Sequence, residues 1–228
     1  MDISSSVSFK RRDSLQPDSI KTWDPGRSGS LHLNKHTAER IVAAMVADVN
    51  ETDDDGKSRG SRTELDTHAN MPVVGKHSYV VCDSGRTVDV SPYTPDYPSM
   101  SLKVVDAAVQ YDCPYDGATR VFIIRNAVHV PSMENNLVPP FIMREAGVKV
   151  NDMPKIQAEE PTVEHHSLYF PETSFRVPLK LWGIFSYFPS SKPSVGVLEQ
   201  SKEVYTLTPD SFNPHDKAYA ENEENMLD

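Results

Sequence analysis

Cysteine is scarce: Cys82 and Cys113 are the two in a chain of 228 residues. That is too few for a disulfide scaffold or a cysteine-based zinc site, and it fits a reducing compartment. No stretch approaches the roughly 18 consecutive apolar residues that a membrane-spanning helix needs. The most apolar run, Val177 to Phe188, is broken by Lys180. The opening Met-Asp-Ile-Ser-Ser-Ser lacks the basic-then-apolar order of a secretory leader, so a cytoplasmic protein without membrane contact is expected. Positive charge is in deficit, with 23 Lys and Arg against 33 Asp and Glu and a net charge of −10. Phosphate backbones repel such a chain, so direct nucleic-acid binding is not expected. Gly-rich phosphate loops, zinc knuckles and nucleophile elbows are missing as well. The expected cofactor and the expected metal are therefore none.

What is present is proline, 18 residues of it, and many short β-like runs. Residues 1–36 are rich in Ser, Asp, Lys, Arg, Gly and Pro and read as disordered. Over 37–50, Ala38, Ile41, Val42, Met45, Val46 and Val49 recur at spacings of three and four, one apolar stripe of an amphipathic helix with Thr37 as N-cap. Residues 51–61, with Asp53-Asp54-Asp55-Gly56, read as an acidic linker. From 62 to 188 short apolar segments alternate with Pro, Gly and Asp, which predicts a mainly β domain. Within it, Asp116-Gly117 predicts a hairpin turn between strands near 102–111 and 120–130. Pro140 and Gly147 bracket one short helix. Residues 189–228 read as an acidic, flexible tail.

Two aspartates could carry chemistry. Asp66 lies in Thr63-Glu-Leu-Asp66-Thr67-His68-Ala69, after a short strand and before the apolar Met71–Val74. Asp83 lies in Cys82-Asp83-Ser84-Gly85-Arg86, again after an apolar strand. Two carboxylates brought face to face cannot both ionise, so one serves as base toward water and the other as acid toward an amide carbonyl. A chain that supplies one such Asp needs a second copy for the pair. Asp83 is the competing candidate. Arg86 stands where a small residue is wanted, and Asp-Ser-Gly between strands reads first as a hairpin turn. His165-His166 beside Glu164 reads as exposed histidines, because neighbours on a strand point to opposite faces.

The run Val128-His129-Val130-Pro131, then Asn136-Leu137-Val138 and Pro140–Gly147, taken with Glu64-Leu-Asp-Thr-His-Ala69, resembles the protease region of copia-type retrotransposon polyproteins. The resemblance covers roughly Arg62 to Asp152. It implies a retropepsin-like closed β domain with one short helix, acting as a homodimer on polypeptide substrates. Asp66 would activate water and Thr67 would brace the loop, with His68 and Ala69 completing it. Asn136, Leu137 and Val138 would form the strand-and-helix unit behind it. His68 replaces the glycine of the family's Asp-Thr/Ser-Gly pattern, and a Cβ and imidazole are expected to crowd a turn that calls for an unusual backbone angle. The alternatives are an inactive retroelement remnant and a domesticated protein-binding module that uses the 37–50 helix.

Overall fold

The computed structural model describes residues 61–90, 100–213 and 216–226. The segment 1–36, the helix expected at 37–50 and nearly all of the linker at 51–61 lie outside them. The described chain is mainly β, with 45% of residues in strands and 15% helical. Among these residues no helix is long and apolar enough to cross a membrane.

The elements follow as β1 (Arg62–Leu65), β2 (Val73–Val74), β3 (Tyr79–Val90), β4 (Met100–Asp112), β5 (Thr119–His129), β6 (Asn136–Val138), α1 (Pro140–Glu145), β7 (Lys149–Asp152), a 3-10 turn (Lys155–Gln157), β8 (His166–Phe170), β9 (Phe175–Pro178), β10 (Lys180–Trp182), β11 (Phe185–Pro189), α2 (Val195–Gln200), β12 (Val204–Thr206) and α3 (Lys217–Asn225). Nine strands form one mixed sheet in the order β10-β11-β1-β6-β2-β5-β4-β3, with β12 added beside β5. β7, β8 and β9 form a second, antiparallel sheet.

Local chemistry explains the elements that matter most. β4 and β5 pair antiparallel from Asp112↔Thr119, and Gly117 takes φ +68° at the turn between them, a conformation open to glycine without cost. Pro140 opens α1, and Gly147 follows its end at φ +82°, stopping it. Between the two sheets sits an aromatic core. Phe122 stacks on Tyr111 and Phe170 at centroid distances of 5.5 and 5.7 Å and meets Phe188 and Tyr205 edge-on. Each ring withdrawn from water this way stabilises the fold by about 1.5–3 kcal/mol.

Two expectations need correction here. The core does not end at 188. β12 pairs in parallel with β5, Tyr205 and Leu207 are buried, and Ser190 and Ser191 bond to Ser61 and Gln110 backbones. The acidic composition of the tail belongs mostly to residues beyond 208, and it hid a short apolar strand. His166 is not exposed either. It is buried, and its Nε2 lies 2.8 Å from Ser186 Oγ, joining β8 to β11.

One core tyrosine is expected to be better as phenylalanine. The Tyr111 hydroxyl is buried without a hydrogen-bond partner, and burial pushes its phenol well above the ordinary range. An unmet buried hydroxyl costs about 1–3 kcal/mol. Tyr111→Phe should therefore raise the urea midpoint, by about 1 kcal/mol of stability after relaxation. A fall in the midpoint would show that the hydroxyl is satisfied in solution.

Candidate active site

β1 is four buried residues long and delivers the chain straight into the Asp66 turn. β6 begins 71 residues after β1 ends, yet it inserts between β1 and β2. It runs parallel to β1 (Thr63↔Asn136, Leu65↔Val138) and antiparallel to β2 (Val73↔Leu137). The strands that enter and leave the Asp66 turn are thus held apart by a third strand, which leads at once into α1. The Asp66 N–H donates to the Val138 carbonyl at 3.2 Å, fixing the residue at the end of that seam. Asn136 locks the seam from below. Its Oδ1 accepts from Gly75 N–H at 2.9 Å, its Nδ2 donates to Thr63 Oγ1 at 3.2 Å, and Thr63 Oγ1 lies 2.8 Å from Ser190 Oγ. Leu137 and Val138 are buried. The structure thus brings Asp66 and 136–138 together.

Asp66 Oδ1 accepts from His68 N–H at 2.9 Å. That bond alone does not mark an active site. Asp83, Asp116 and Asp216 each accept from the N–H two residues on in the same way, the usual habit of aspartate in turns. Asp66 is set apart by its surroundings: it is 4% exposed, whereas the Asp83 and Asp116 side chains are 42% and 48% exposed.

Thr67 and His68 are exposed, and Ala69 is buried. Thr67 Oγ1 lies 3.1 Å from His68 Nδ1, so its hydroxyl meets its neighbour, while Asp66 N–H donates to the Val138 carbonyl and His68 N–H to Asp66 Oδ1. The backbone cost expected for His68 is not incurred. Among the described residues, positive φ outside glycine occurs at Asn126 and Ser174. The turn accepts a side chain here by keeping ordinary angles and directing the imidazole outward.

Asp83 is not at a hairpin turn. β3 runs unbroken through it, and Ser84-Gly85 form a bulge between the pairs Asp83↔Val105 and Arg86↔Val104. Gly85 at φ +72° makes the bulge possible, and Ser84 Oγ donates to the Val104 carbonyl at 2.6 Å. Bulges and hairpin turns both favour glycine at positive φ, so the dipeptide alone could not separate them. Lys103 Nζ lies 2.7 Å from Asp83 Oδ2 and, with the Gly85 N–H, holds the carboxyl below its usual range. This ion pair is exposed, at the edge strand of the sheet.

The titrating groups give the fold a pH dependence. Lys76 and Lys103 hold Glu134 and Asp83 below the carboxylate range, as Arg120 does Asp116. Burial lowers His129 and His166 below the ordinary imidazole value of 6.5. A lowered folded-state pKa means that the unfolded chain binds protons first. The histidine share of stability is therefore lost as pH falls below about 6.5 toward their folded values, and the carboxylate share as pH falls below about 4. Urea midpoints should drop from pH 7 to pH 5 and drop again toward pH 3. A flat profile between 7 and 5 would contradict the burial of both histidines.

Among the described residues no three His, Cys, Asp or Glu side chains gather as metal ligands do. No family model matches this chain, and no curated protein and no solved structure matches it.

Proposed function

We propose that the chain is a retroelement-derived, retropepsin-like aspartic endopeptidase domain. In this reading two copies pair, the two Asp66 carboxylates share one proton, and the pair activates water against a peptide bond of a polyprotein. The carrying observation is the seam itself. A buried aspartate caps a strand that is zipped in parallel to Asn136–Val138, and a short helix follows directly. Asn136 and Gly75 serve as positioning residues that hold the turn at fixed height.

A second reading, a folded and self-associating remnant without activity, is favoured by the exposed His68 imidazole at the position where the Asp-Thr/Ser-Gly pattern of aspartic proteases has glycine. The purified full chain separates the two when given a fluorescently labelled unfolded protein between about pH 4 and pH 7. The endopeptidase reading expects cleavage that a pepstatin-type inhibitor blocks. A folded, dimeric chain that cuts nothing across this range would leave the remnant reading.

A further inference from the structure

The chain changes character at Thr208. Leu207 and Thr208 are buried, and the Leu207 N–H donates to the Ile123 carbonyl at 2.8 Å, extending the β12–β5 seam. Thr208 Oγ1 accepts from Arg125 N–H at 2.6 Å and donates to the Arg125 carbonyl at 3.0 Å. From Pro209 onward the described side chains are half-buried or exposed.

This last stretch is nevertheless tied down at two places. The first is Asn126 in β5, which takes φ +54°, a left-handed conformation that asparagine tolerates better than most residues. Its Nδ2 donates to the Asp210 carbonyl at 2.8 Å and to the Pro209 carbonyl at 3.4 Å, while its Oδ1 accepts from Arg86 Nη2 at 2.7 Å. Arg125 beside it pairs with the Asp210 carboxylate. The second place is α1. Phe141 meets the Tyr219 ring edge-on at 5.1 Å and the Phe212 ring at 6.1 Å, and the Tyr219 hydroxyl donates to Glu145 Oε2 at 3.3 Å.

α3 is weak on its own. Its nine residues fall short of the roughly 12–15 that an isolated helix needs in water. Among its described side chains Tyr219 is half-buried and the others are exposed. A segment whose apolar contact is concentrated in two rings opens at far lower cost than a strand inside the sheet.

We propose that the described chain beyond Asp210 is a strap: Asn126 pins its root, the Phe141–Tyr219 contact is its catch, and the catch opens while both sheets stay folded. Opening bares the rest of the Phe141 ring, on the helix that continues directly from β6. The strap thereby sets the accessibility of that face. It stands on these contacts alone and is independent of the endopeptidase reading.

Native-state hydrogen exchange of the full chain, followed residue by residue in low urea, tests the strap. The α3 amides should exchange about a hundredfold faster than the Leu207 amide, through an opening that urea hardly accelerates. Phe141→Ala removes the catch from the α1 side, at a residue whose 49% exposure spares the sheets. It should speed α3 exchange about tenfold and leave Leu207 unchanged. Tyr219→Phe keeps the ring and loses the Glu145 bond, so it should speed α3 exchange about threefold. Glu221→Gln, on the exposed side of α3, should change neither. α3 amides as slow as Leu207, or unmoved by Phe141→Ala, overturn the proposal. So does a Phe141→Ala chain in which Leu207 speeds up equally, because the sheets then open together with α3.

Discussion

Asp66→Asn should cut peptide cleavage by about a thousandfold while leaving the fold in place. General acid–base groups contribute about 10²–10⁴ in rate, and the amide can neither share a proton with its mate nor accept one from water. The same change costs little structurally. An asparagine Oδ1 still accepts the His68 N–H now received by Asp66, and asparagine suits the same local turn. The unfolding midpoint should therefore move by less than about 1 kcal/mol of stability. Activity lost with stability kept assigns Asp66 to chemistry. Activity kept in Asp66→Asn would end the enzymatic role of this residue, and a collapse of the fold would show that the buried carboxylate serves packing. Asp83→Asn is the matched comparison: it removes a surface ion pair with Lys103, and exposed pairs are worth about 0–1 kcal/mol, so cleavage should persist.

Gly75→Ala should destabilise the protein by about 3 kcal/mol or more, with activity lost alongside. A Cβ at this position overlaps the Met133 carbonyl oxygen and lies 2.9 Å from the Asn135 carbonyl oxygen. Both obstacles are backbone and cannot swing aside. Two chain segments cross here, with Lys76 N–H donating to Met133 and Gly75 N–H to Asn136. The gain from a less flexible unfolded chain is about 0.4–1 kcal/mol. Overpacking of about 1–3 kcal/mol and the strained Asn136 bond at about 1–3 outweigh it. Gly85→Ala provides contrast: no atom lies within 4 Å of its added Cβ, and the cost is the positive φ alone. A Gly75→Ala protein as stable as wild type would mean that the crossing is looser than the backbone distances indicate.

How much of this was legible in the sequence depended on the range of the interaction that sets each feature. Asp116-Gly117 and the Pro140–Gly147 helix were readable because their signals are local turn and cap chemistry. The mainly β character followed from alternating apolar runs. The Asp83 bulge was misread because a bulge and a hairpin turn demand the same glycine. The buried Thr63–Asn136–Ser190 network had no signal, since it joins three segments that only the folded chain makes neighbours. His166 was misplaced for a related reason: its partner Ser186 sits on another strand. The Val204-Tyr-Thr strand was missed under an acidic average, although its β-branched and aromatic residues were a usable hint.

β5 has an unusual division of labour along one edge. β2 takes its Val128–His129 end, and β12 takes Val121–Ile123, arriving more than 80 residues later. During synthesis, the first half of this very apolar strand must therefore wait with open hydrogen-bonding groups until the ribosome has released residue 206. Such a vacancy invites pairing with other nascent chains. Proteolytic release of the domain just after Pro189 would recreate it permanently, so a cut there would yield a sticky fragment, whereas a cut beyond Thr208 would leave the strand sealed.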